Sequence, residues 1–183
     1  MTWDLPISVE IDGIEHNIRN RCDYRVILDV IAALNDQELE IESRVECALI
    51  IFFEDISAIT NLDAATQEMF RIINYGEVEQ SDQEKPQMMD WEKDFKNIAP
   101  PVSRILGYDI RTPDKYTHWW SFLGGYMEIG ECLFATVVAI RQKIRKGKKL
   151  EKWEQEFVNE NRDMVILPTK YTKEEEEFLA LFE

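Results

Sequence analysis

The run His118-Trp119-Trp120-Ser121-Phe122-Leu123-Gly124-Gly125-Tyr126-Met127 carries no formal charge, in a chain of 183 residues that is 31% charged. At helical spacing Trp119, Phe122, Leu123, Tyr126 and Met127 fall at i, i+3, i+4, i+7 and i+8, and Trp120 widens the stripe. A helix apolar around so much of its circumference needs protein on several sides. The expectation is a central core helix with Trp119, Trp120, Phe122, Leu123, Tyr126 and Met127 in the core and no chemistry of its own. Gly124 and Gly125 each weaken such a helix by roughly 1 kcal/mol relative to Ala, so their use is to let another backbone come close.

Around this segment the chain reads as mainly α, with seven or eight helices in a single domain over 1–183 and a short β-hairpin at 7–18. Ile7-Ser8-Val9-Glu10-Ile11 and Ile14-Glu15-His16-Asn17-Ile18 both alternate apolar and polar residues about Asp12-Gly13, a strong hairpin signal. An isolated hairpin is marginal, so the Ile7, Val9 and Ile11 face, with Ile14 or Ile18 opposite, should pack on helices. Asp23 can cap a helix to Leu34. The apolar run 41–53 fits a buried helix or a strand, its length and polar start favouring helix. Asn61 opens the next helix, which Tyr75-Gly76 ends. The acidic, proline-containing stretch 76–89 is an exposed linker and the one internal boundary.

Asp90 then caps a helix with Trp91, Phe95 and Ile98 inward, which Pro100-Pro101 should break or kink. Pro113-Asp114 marks the start of the aromatic helix, ending about Glu128. Glu131 starts a helix through Ile144, Lys152 to Asn161 makes another, and Thr172-Lys173-Glu174-Glu175 is a capping box opening a terminal one.

Thirty-six acids against 21 bases give a formal charge of −15. That balance repels phosphate backbones and anionic lipid, which speaks against nucleic acid and membrane partners. Cys22, Cys47 and Cys132 form no CxxC motif, and with only His16 and His118 beside them they read as free thiols in a reducing compartment. Met1 to Ser8 lacks the basic start and apolar stretch of a signal peptide, and the longest uncharged block is too short for a membrane helix. A soluble cytoplasmic protein is expected.

Sites of chemistry find weak support. Glu128 and Glu131 have the spacing of an acid–base pair, but Gly130 lies between them, and capping carboxylates at a helix junction explain them better. His118 beside two tryptophans reads as a hydrogen-bonded core histidine. No GxSxG, GxGxxG or GxxxxGK[ST] motif occurs, so neither a catalytic residue nor a metal or cofactor is expected. Six cations between Arg141 and Lys149 read as a solvated helix end, neutralised by acidic neighbours or by an acidic partner, because ten acids follow between Glu151 and Glu183. Partner contact is expected from apolar residues toward the C-terminal half: Trp153 and Phe157 on one helix, and Phe178, Leu179 and Phe182 at the end of the chain. The last three dock either on this chain's own core or on a partner.

Several blocks occur in order along nearly the whole chain. They are Met1-Thr2-Trp3-Asp4-Leu5-Pro6 with Val9-Glu10-Ile11-Asp12-Gly13, Met89-Asp90-Trp91-Glu92, Leu106-Gly107-Tyr108-Asp109-Ile110-Arg111, His118-Trp119-Trp120, Tyr126-Met127-Glu128-Ile129-Gly130-Glu131, and Gly147-Lys148-Lys149-Leu150 with Asn161-Arg162-Asp163. Together they resemble the gene-product-fifteen family, small proteins encoded among the tail genes of long-tailed phages and prophages of Gram-positive bacteria. The resemblance implies a tail assembly chaperone, not an enzyme, that keeps the long apolar tape measure protein soluble in the bacterial host cytoplasm. It would be absent from the mature virion. The major tail protein and a companion tail assembly chaperone would be further partners, with self-association also compatible. The reading from another class is an acidic inhibitor or nucleic-acid mimic on a basic host protein; its acids should form a phosphate-like array, whereas here they are dispersed through amphipathic helices.

Overall fold

The computed structural model describes residues 4–77 and 88–167. They form eight α-helices and one antiparallel hairpin, divided into two compact units: 4–77 with 96–130, and 88–95 with 131–167. In the first unit β1 (Ser8–Ile11) pairs with β2 (Ile14–Asn17), with Val9 opposite His16. Asp12 and Gly13 both take positive φ, 53° and 80°, as a two-residue turn matched to strand twist requires. Val9, Ile11 and Ile18 are buried, whereas Ile7 and Ile14 face solvent, so Ile18 completes the inward face.

Helix α1 (Tyr24–Leu34) begins at Asp23, whose carboxylate accepts from the Arg25 N–H, and α2 (Ile41–Phe52) packs against it. The run 41–53 is thus a helix. Its C-terminal carbonyls are met by one cation: Arg19 donates to the backbone oxygens of Ile50, Ile51 and Phe53. A guanidinium suits this place because the last carbonyls of a helix lack partners and carry partial negative charge. Helix α3 (Leu62–Ile73) starts with the Asn61 side chain accepting from the Ala64 N–H.

Two expectations fail here. Helix α4 (Trp91–Leu106) continues through Pro100 and Pro101. Proline's fixed φ is itself helical, and the lost bonds and ring crowding, at about 3 kcal/mol per residue, are offset by burying Ile98, Ala99, Pro101 and Val102. Helix α5 (Trp119–Met127) starts at Trp119, not at Pro113. Residues ahead of it are held extended, since the Tyr24 N–H donates to the Thr117 carbonyl and the Trp119 N–H to the Cys22 carbonyl. Asp23 adds its second oxygen to the Thr117 N–H.

The aromatic helix is central to this unit. Trp119, Phe122 and Leu123 are buried, and Trp120 and Tyr126 are half-buried. Phe122 stacks on Trp119 with centroids 5.5 Å apart and on Tyr24 at 4.8 Å. The Trp119 indole N–H donates to the Ile73 carbonyl at 3.0 Å and that of Trp120 to the Ile72 carbonyl at 2.9 Å. Met127 is a correction: α5 spans nine residues, and its last side chain is 62% exposed.

His118 caps α5. Its Nδ1 accepts from the Trp120 N–H at 3.0 Å, so Nε2 carries the proton and donates to the Pro6 carbonyl at 2.8 Å. The ring must be neutral to do both. Burial lowers its pKa below the usual 6.5, against the opposing pull of the Pro6 bond and the Asp23 carboxylate.

Two measurements check this packing. A Cβ at Gly125 would lie 3.2 Å from Cγ1 of fully buried Val102, while one at Gly124 meets nothing within 4 Å. Urea titration should show Gly124→Ala stabilised by up to about 1 kcal/mol and Gly125→Ala destabilised by about 1 kcal/mol. Because His118 binds its proton more weakly folded than unfolded, its contribution is full above about pH 6.5 and is lost as pH falls from there toward the folded pKa. His118→Asn keeps a capping oxygen and removes the titration. Its stability should fall less steeply than wild type as the pH drops below about 6.5; equal slopes would contradict the neutral cap.

Candidate functional site

The second unit holds the described residues expected to meet a partner, and it is organised around one buried cation. Helix α6 (Leu133–Arg145) opens at Cys132, whose sulfur accepts from the Ala135 N–H at 3.5 Å. Phe134, Val137 and Ile140 turn inward with Arg141 in the same stripe. The Arg141 guanidinium forms a bidentate pair with Asp94, at 2.6 Å and 2.9 Å. Its remaining donors reach the carbonyls of Val165, Met88 and Met164 at 2.8, 3.1 and 2.6 Å. All five N–H groups of the fork are therefore used. Side-chain exposure is 5% for Arg141 and 1% for Asp94.

This corrects the reading of the basic run as wholly solvated. Burying an ion pair costs several kcal/mol per ion in desolvation, so its benefit lies in fixing one arrangement; removing one partner alone leaves an unmatched buried charge. The arrangement fixed here ties the first turn of α4 to α6 and to the short helix α8 (Arg162–Val165). The signal was present in sequence: Asp94 occupies i+3 in the stripe of Trp91, Phe95 and Ile98, and Arg141 occupies i+7 after Phe134, Val137 and Val138.

Lys143 is the second cation of the run with a partner. It donates to Glu154 on α7 (Lys152–Glu160) at 2.6 Å, and the other Glu154 oxygen accepts from the Glu151 N–H at 2.8 Å. The Lys143 ammonium holds the Glu154 carboxyl below its usual range. These two bonds set the start and the roll of α7. Trp153 is consequently turned outward, 51% exposed, with its indole N–H donating to Glu151 at 2.8 Å. With that polar edge occupied, the ring faces remain for apolar contact. Phe157, one turn on, is half-buried. Phe178, Leu179 and Phe182 lie outside the described residues.

Arg145, Lys146, Lys148 and Lys149 are exposed and make no ion pair among the described residues. Helix α6 ends there in a glycine cap: Gly147 takes φ 60°, its N–H donates to the Ile144 carbonyl and that of Lys148 to the Lys143 carbonyl.

His118 is fully used as a cap, and burial pushes the Cys22 thiol up to about 12, far from a nucleophilic thiolate. Glu128 caps the C-terminus of α5 and is exposed, as is Glu131. The three cysteines are free. Among the described residues no group of three or more His, Cys, Asp or Glu side chains could hold a metal ion, and no helix is long and apolar enough to cross a membrane.

Three of the blocks that carry the sequence resemblance fall on structural nodes just described: the Asp12-Gly13 turn, the His118 cap with its tryptophans, and the glycine-capped end of α6. No curated protein and no solved structure matches the chain. A family model, Bacteriophage Gp15 protein, matches residues 1–167, which takes in both units, and the chain belongs to that bacteriophage family.

Proposed function

We propose that this protein is a tail assembly chaperone: it binds the tape measure protein of a long-tailed phage in the host cytoplasm, keeps it soluble until tail tube polymerisation, and stays out of the finished virion. It acts by contact and not by catalysis. Family membership supports the phage setting. The observation that carries the mode of action is Trp153, a large aromatic on an anchored helix, half exposed, its polar edge already satisfied. Such a ring is suited to the apolar stripe of a partner helix, and Phe157 continues its face. The net charge of −15 keeps a complex with a long apolar protein dispersed. The major tail protein and a companion chaperone are the further partners on this reading.

Co-expression with the tape measure protein of the same phage tests it. Wild type should bring that protein into the soluble fraction and copurify with it. Trp153→Asp, an exposed change that leaves α7 anchored, should cut copurification at least tenfold, about 1.4 kcal/mol of binding, with an unchanged melting temperature. Equal copurification would remove α7 from the binding face. An insoluble tape measure protein beside wild type would overturn the function itself.

A further inference from the structure

The charge of this chain is unevenly placed. The described residues of the first unit carry nine bases against nineteen acids, a net of −10, while those of the second carry nine of each. Two patches concentrate the difference. At the start of α2, Asp36, Glu38, Glu40, Glu42 and Glu46 are exposed without ion-pair partners among the described residues, and Ile41 projects among them at 70% exposure. Only Arg44 interrupts them, and its Nε is held by the Leu39 carbonyl. At the end of α6, Arg145, Lys146, Lys148 and Lys149 are exposed and unpaired, with Ile144 beside them at 41% exposure.

We infer that the cationic end of α6 is a docking surface for the acidic start of α2 in a second copy of this chain. The two surfaces match in sign and each has one projecting aliphatic side chain. Exposed ion pairs alone contribute little, so the isoleucines supply the apolar part of the contact and the charges its register. Repulsion between copies of charge −15 is screened beyond about 8 Å at physiological salt, whereas charges in contact are screened far less. Nucleic acid is the poorer ligand for the cationic patch, because the chain as a whole carries a net charge of −15 and repels a phosphate backbone.

The contact is heterologous, so a pair of copies keeps one acidic patch free on one chain and one cationic patch free on the other, and association extends past two chains. This inference is independent of tape measure binding and does not use Trp153.

Sedimentation velocity on the purified full chain tests it with two neutralised variants. One carries Lys146→Gln, Lys148→Gln and Lys149→Gln; the other Glu38→Gln, Glu40→Gln and Glu42→Gln. All six positions are exposed, and circular dichroism should match wild type. Wild type should form concentration-dependent oligomers, each variant alone should be monomeric, and the equimolar mixture should give a 1:1 complex that grows no further. A monomeric wild type throughout the micromolar range overturns the inference. So does either variant assembling as wild type does, or a mixture that stays monomeric. Binding of a single-stranded oligonucleotide by a monomeric wild type would reassign the patch and likewise overturn it.

Discussion

Two indole N–H groups ending on the last carbonyls of α3 hold the first unit together. A helix leaves its final four carbonyls without intrahelical partners, and in a packed interior each unmet group costs about 1–3 kcal/mol. Trp119 and Trp120 supply donors to Ile73 and Ile72 from adjacent positions on another helix. Tryptophan suits this role because it joins a donor to a large apolar surface, so the bond and the packing are made by the same side chain. From Trp119 the order spreads through Phe122 to Tyr24. Through His118 and Thr117 it reaches the start of α1 and the N-terminal strand segment. Gly76 is part of the same node: a Cβ there would come within 3.2 Å of the Trp120 ring.

The second unit solves its packing with a charge. Arg141 gathers Asp94 and three backbone carbonyls, including those at the end of α8, and spends every donor it has. A well-packed apolar cluster could have done as much for stability. An ion pair that is satisfied in one geometry only also sets which helix faces which. That geometry, with the Lys143–Glu154 bond, leaves Trp153 at the surface.

Much of this was legible in the sequence. Asp12-Gly13 between alternating strands, the Asp23 and Asn61 caps and the Gly147 terminus are local devices, each needing a few adjacent residues, and the helical fold follows from them. The sequence misled where a distant contact overrode a local rule. Pro100 and Pro101 stay helical because their neighbours are buried. Residues 113 and 114 form a turn and Thr117 and His118 stay extended, because Thr117 and Trp119 bond to the backbone at the start of α1. Arg141 is buried because Asp94 stands 47 positions earlier in the chain. Met127 falls on the apolar stripe by periodicity and is exposed all the same, as the last residue of its helix. The residues proposed to face a partner are the hardest to read, since an exposed Trp153 and a buried one look alike until the helix is placed.

The aromatic helix is thus a structural element, and the proposed partner contact falls on outer surfaces. Trp119→Ala separates the two most directly, by comparing its unfolding free energy with its capture of the tape measure protein under conditions where it remains folded. The predicted result is a loss of about 3–5 kcal/mol in stability, from the cavity left by a fully buried indole, with tape measure capture by the folded protein unchanged. Wild-type stability together with lost capture would contradict the account.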